Sequence, residues 1–308
     1  MAELLSRTGP WSPWIAVARS VLALSMAGSL AVTPPAVLFA RLSGTGGADQ
    51  CGGTAAWSLF CSLPPGESPW AVVLAVAVLV WVASGVLPAV SAIPFAFVAY
   101  SVTTAGTLVD GGDQVVLVAA VLFIPYSLCD WRLFAWRPPG EEAGVIRATV
   151  ARAAILTLKV QISIVYLVAC IGKLATEAWT EGSALYYWTR IPAFGTPNWL
   201  EGLVYATTGN PAISVILTWG TLVLEFALGV SLLLPLRFRL NVLLPARFFL
   251  HGAILFVMGI ASFSIAMFGA VLLLLVPADS SWSLLAHRWY SSAPVRRESK
   301  EEVPHVVP

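Results

Sequence analysis

The chain has 308 residues, of which 58% are hydrophobic and only 11% charged, with a net charge of +1 and a mean hydropathy of +0.83. A soluble domain carries about 25% charged residues, so this chain cannot cover a globular surface with charge, and lipid must solvate much of it. The near-neutral balance argues against a nucleic-acid role, which needs a concentrated basic surface. At roughly 20 apolar residues per span, the length leaves room for about seven crossings and no separate soluble domain.

The expected fold is all-α, a polytopic transmembrane helix bundle of seven or eight spans. Residues 1–14 read as a cytoplasmic amino-terminal segment, 15–277 as the membrane domain and 278–308 as a polar tail. Arg19 interrupts the first apolar run, and no small-residue cleavage site follows before Pro34-Pro35, so a retained first helix is expected. Apolar runs place spans at 15–40, 70–88, 92–109, 113–129, 152–174, 211–236 and 247–276. Arg132, Arg137, Arg147 and Arg152 cluster in one predicted loop, and Arg237, Arg239 and Arg247 in another. Both belong in the cytoplasm by the positive-inside rule. With Arg7 and the amino terminus inside, this requires three crossings between Trp70 and Cys129, which keeps the second and third spans separate despite Pro88 and Pro94. The run 247–276 would make a helix of about 45 Å, long even for a tilted span. Ser262-Phe263-Ser264 marks a candidate break into two short crossings, and the basic residues of the tail, which is expected to be disordered, argue for that eighth span.

On this topology the loop 41–69 faces outside, where disulfides survive. Cys51 and Cys61 share it between Gly-rich and Pro-rich flanks and are expected to form a clip, the plainer alternative being two incidental thiols.

The informative segment is LTLKVQISIVYLVACIGKLATEAW. Lys159, Ser163, Tyr166, Cys170, Lys173 and Glu177 follow one another at steps of four and three, which puts them on one helix face. Intramembrane charge is costly and faces the bundle interior or a wet cavity, so this seam is expected to line a polar cavity. Lys159 lies towards the cytoplasmic end and reads as a snorkelling anchor. For Lys173, towards the outer end, two readings stand: an interfacial anchor, or a desolvated amine acting as a base. Glu225, in TLVLEFALGV, is a midplane carboxylate, either functional or paired with Arg19, Lys159 or His251. His251 either bonds Glu225 or sits at the interface. Asp110 and Asp113, in VDGGDQ, either cap a turn or face Lys173. No HExxH, GxSxG or Walker loop occurs, and the three histidines, His251, His287 and His305, are too dispersed for a metal site.

The segment KVQISIVYLVACIGKLATEAWTEGSALYYWTRIPAFGTP resembles the core of the HTTM membrane domain, shared with vitamin K-dependent gamma-carboxylases. Within that superfamily RSVLAL near Arg19, the loop from Cys51 to WSLFC, GGDQ at 111–114 and IPYSLCDWRLFAW at 124–136 are similar to the SdpB family, named for a sporulation-delaying protein of a peptide-toxin operon. The resemblance implies a membrane factor in the maturation of a secreted antimicrobial (SdpC-like) peptide precursor, working with a small SdpA-like operon partner. It also implies, from the carboxylase branch, that Lys173 in the GKL step is a candidate catalytic base, with reduced vitamin K, a quinone, as a possible cofactor; Glu225 and Tyr166 are the further catalytic candidates read from the residues themselves. This chain departs from the carboxylases in having no histidine in 110–132 and no large lumenal domain. Two other readings remain: a quinone-dependent carboxylase or oxidoreductase acting on another substrate, and a non-enzymatic transporter or toxin-immunity protein.

Overall fold

The computed structural model describes residues 10–39, 51–62, 68–107, 109–137, 144–192, 194–278 and 280. Most of the expected amino-terminal segment and all but the first residues of the polar tail, with its basic cluster, lie outside the described residues. So do 40–50 and 63–67 of the cysteine-bearing loop.

Eight apolar helices build the bundle: α1 (Pro13–Val32), α2 (Ser68–Ser84), α3 (Pro88–Ala105), α4 (Gly111–Leu128), α5 (Val145–Leu174), α6 (Pro211–Gly229), α7 (Leu236–Met258) and α8 (Ala261–Leu275). Six are long and apolar enough to cross a membrane, and α2 and α8 are shorter apolar helices. The protein is a multi-pass membrane protein, all-α, with no β-strand among the described residues and one isolated bridge, Val86 to Phe134. Starts follow local chemistry. Ser12 caps α1 ahead of Pro13, Asn210 caps α6 ahead of Pro211, and Asp110 caps α4.

Hydrogen bonds between helix ends show how the eight helices alternate. At the end that holds the amino terminus, Ser12 Oγ donates to the carbonyl of Ser280 at 2.6 Å. Arg147 donates to the Cys129 carbonyl, and Ala135 N–H to that of Gly85. At the distal end Thr107 N–H donates to Leu38 O, Tyr100 to Thr54 O, and Ser262 to Asp110. The carboxyl end of α8 therefore returns to the end from which α1 starts. That is the even, eight-helix arrangement rather than seven.

Several boundaries differ from the sequence reading. The break in 247–276 falls at Gly259 and Ile260, not at Ser262–Ser264. Gly259 takes φ 69°, the left-handed conformation that ends α7 without a Cβ penalty. Residues 236–246 join α7 through a π-turn at Arg239–Leu243, so Arg247 lies inside a helix and not in a loop. Arg147 and Arg152 lie on the first turns of α5, which starts at Val145. Gly85, with φ 70°, and Leu87, with φ 50°, turn the chain sharply between α2 and α3, and Pro94 sits within α3.

The core is packed from α1, α2, α3, α4, α5 and α8, with Leu22, Met26, Leu79, Phe95, Phe123, Leu158 and Leu274 fully enclosed. Outward positions such as Val73, Leu74 and Val80 on α2 and Ile164, Val168 and Ile171 on α5 are exposed apolar side chains, as lipid contact requires. Between α5 and α6 three short helices, Glu177–Thr180, Ala184–Trp188 and Asn198–Gly209, cover the distal end beside α6.

Candidate functional site: a cavity with a buried ion pair

The α5 seam runs through the bundle. Lys159, Ser163, Tyr166 and Cys170 are buried along it. Lys173 ends it, one residue before the helix stops at Leu174. Glu177 does not continue the seam: Thr176 is extended, and Glu177 opens a separate short helix with its side chain exposed.

The two lysines have different partners. Lys159 Nζ donates to the carbonyls of Val276 at 2.6 Å and Leu274 at 3.3 Å, and Arg239 reaches Leu274 and Leu275. These contacts cap the last turn of α8, whose free carbonyls carry partial negative charge. Lys159 is therefore held inside the protein rather than extended to water. Lys173 Nζ donates to both oxygens of Glu225, at 3.0 and 2.9 Å. Its ammonium also lies 5.3 Å from the centre of the Trp179 ring. The side chains are 26% and 8% exposed. Glu225 thus takes Lys173, none of Arg19, Lys159 and His251. Arg19 instead donates to Ser91 at 2.9 Å.

The pair faces a cavity of about 360 Å³ between α4, α5, α6, α7 and α8. Val115, Val118, Ile162, Val165 and Met267 give it apolar walls, and Gln114, Gln161, Tyr166, Lys173, Glu225 and Arg247 its polar groups. Gly111 and Phe263 bring it to the distal end of the bundle. Asp110 and Asp113 stand at that end as a capping box on α4: Asp110 accepts from Gly112 and Asp113, and Asp113 accepts from Asp110 N–H. Asp110 also accepts from Ser262 at 2.6 Å. Neither aspartate forms an ion pair among the described residues, whereas Lys173 pairs with Glu225 and Arg132 with Asp130.

The sequence reading missed Arg247. It is 2% exposed, its guanidinium lies 4.7 Å from the centre of the Tyr166 ring, and it lines the cavity. The signal was RFFLH, where Arg247 and His251 share a helix face at i and i+4. His251 is fully buried between Phe263 and Phe268, edge to face, and reaches no carboxylate. Cys51 and Cys61 are bonded, with Cα atoms 5.4 Å apart. Among the described residues no three His, Cys, Asp or Glu side chains converge as metal ligands would.

The chemistry open to this arrangement is proton transfer. Lys173 Nζ and the Glu225 carboxylate are held 2.9 Å apart, within reach of direct transfer. Both groups border a space large enough for a substrate group.

A polytopic helical membrane protein with a charged pair in a distal cavity is the class that fold and site define. The HTTM domain matches residues 115–282, more than half of the chain, and the chain belongs to that family. The matched span contains Tyr166, Lys173, Glu225 and Arg247. The chain is 28% identical over 278 residues to YitO, an uncharacterised protein of Bacillus subtilis (strain 168), covering 88% of each. It is 27% identical over 190 residues to the sporulation-delaying protein SdpB of the same organism, covering 60% of this chain and 57% of that protein. These similarities make it an SdpB-like HTTM protein. No solved structure matches the chain.

Proposed function

We propose that this protein acts in the maturation of a secreted antimicrobial peptide, with its distal cavity open to the outside and Lys173 as the base within it. The Lys173–Glu225 pair on the wall of the cavity carries the reading, because it supplies a proton acceptor whose proton has a place to go. The likeness to the sporulation-delaying protein supplies the biological setting. A peptide precursor and a small operon partner are then the expected partners, beside lipid.

Two features support the sidedness. Arg132, Arg137, Arg147, Arg152, Arg237 and Arg239 gather at the end where α1 begins, which favours the cytoplasm for it. The Cys51–Cys61 bond is at the other end, where an oxidising exterior would keep it.

Deletion of the gene in its own host tests the role, with mass spectrometry of precursor and product in cells and medium. The expected result is precursor without mature peptide, reversed by complementation. Unchanged mature peptide in the medium overturns the reading. Mature peptide trapped in the cells would point to a transporter, and self-killing with normal peptide to an immunity protein.

A second reading, a quinone-dependent carboxylase or oxidoreductase, has one observation in its favour: the apolar walls beside the amine. Val115, Val118, Ile162 and Val165 would hold a ring of that kind, and Lys173 would accept its hydroxyl proton. A bound hydroquinone would supply the reducing equivalents.

A further inference from the structure

Lys173 and Glu225 cancel each other's charge, which leaves Arg247 as the uncompensated charge of the cavity. Its guanidinium is 2% exposed, and its Nε and Nη1 have no hydrogen-bond partner. No carboxylate pairs with it among the described residues. Tyr166 supports one face of the guanidinium, which holds it in place without neutralising it. An unpaired charge at this depth costs several kcal/mol, and a guanidinium does not escape by losing its proton. The surroundings repeat the pattern. Tyr166 Oη, on the wall of the same cavity, is likewise buried without a hydrogen-bond partner. Such groups normally find partners, so two of them on one cavity wall, one of them charged, point to a polar occupant.

We propose that Arg247 makes this cavity a binding site for a singly charged oxyanion, a carboxylate or phosphate group, with the apolar walls taking the carbon skeleton attached to it. The site rests on the reading of this cavity as the working one, and it names the charge of the group admitted there. The anion brings the cavity to neutrality and gives the guanidinium charge-assisted acceptors. Its source is either a small soluble molecule entering from the distal end or an anionic lipid from the bilayer.

The test is thermal unfolding of the purified full-length protein, read by tryptophan fluorescence. One arm uses zwitterionic detergent with sodium acetate or inorganic phosphate, against sodium chloride at equal ionic strength. The other uses nanodiscs of phosphatidylcholine with and without phosphatidylglycerol. Binding should raise Tm by roughly 5 °C at one hundred times Kd. A response to acetate or phosphate identifies a soluble source, and a response confined to phosphatidylglycerol identifies lipid. Arg247→Met should be at least as stable as wild type without anion, because it removes a buried unpaired charge, and should not respond to the probes. If Arg247→Met does not purify, Arg247→Lys replaces it, with an affinity at least about tenfold weaker expected because an ammonium lacks the guanidinium fork. A wild type that responds to no probe overturns the proposal, as does a variant that responds like wild type. Binding is read without turnover, so it separates from the chemical reading. Anion binding together with full peptide production by Lys173 variants would remove the base and leave this site, and the reverse pattern would remove only this site.

Discussion

Breaking the Lys173–Glu225 pair should destabilise the protein unequally from its two sides. Two unit charges 3 Å apart attract by about 5.5 kcal/mol at an effective dielectric near 20, and desolvation consumes much of that. Lys173→Met leaves a carboxylate that is 8% exposed without a cation, and we expect a loss of about 3 kcal/mol. Glu225→Leu leaves an ammonium that is 26% exposed and still lies against Trp179. It can be partly hydrated, so the expected loss is about 1 kcal/mol. The double variant removes both charges and should fall within about 1 kcal/mol of wild type, giving a coupling of about 3 kcal/mol. At about 2 °C per kcal/mol for a chain of this size, Tm should fall by about 6 °C, 2 °C and 2 °C for the three variants. The assay is thermal unfolding in detergent, followed by tryptophan fluorescence. A double variant that loses the sum of the two single effects would refute the coupling and, with it, the buried pair.

Alkylation of the unreduced, denatured protein should leave Cys51 and Cys61 unmodified and joined in one peptide pair, and full alkylation at both positions would contradict the bond. Gly229→Leu should lower folded yield severely, because even a Cβ there would stand 2.5 Å from Leu167 at the crossing of α5 and α6; folding yield by size-exclusion chromatography reads this, and a normal profile counts against the crossing. Lys159→Ala should reduce membrane abundance on immunoblot by uncapping α8, while Lys159→Arg keeps a cation for those carbonyls and retains most of it.

The shared face of Lys159, Ser163, Tyr166 and Cys170 was legible, because a helix repeats its faces at steps of three and four and α5 is continuous from Val145 to Leu174. Of the seam, however, only Tyr166 and Lys173 line the cavity. The reading overran at Glu177, since periodicity does not register that Thr176 leaves the helix. The partner of Glu225 was not legible: Lys173 is 52 residues away, and nothing in either helix's own spacing ties the two. Arg247 was read with Arg237 and Arg239 as one basic loop. The chain instead continues from Leu236 through a π-turn into α7, so three arginines of one cluster have different environments. Arg237 is exposed, Arg239 bonds the end of α8, and Arg247 is inside the cavity wall. The break before α8 was expected at serines, but the backbone used the residue that tolerates positive φ, Gly259.

A base and a fixed cation at position 173 differ in whether the side chain gives up its proton. Lys173→Arg tests this most directly, because arginine can still pair with Glu225 and lie against Trp179 but does not give up its proton. Loss of a general base typically costs 10²- to 10⁴-fold in rate. If Lys173 is the base, Lys173→Arg reaches the membrane at wild-type abundance and yields as little mature peptide as Lys173→Ala. A normal yield of mature peptide from Lys173→Arg would contradict that role and leave the pair a structural tie between α5 and α6.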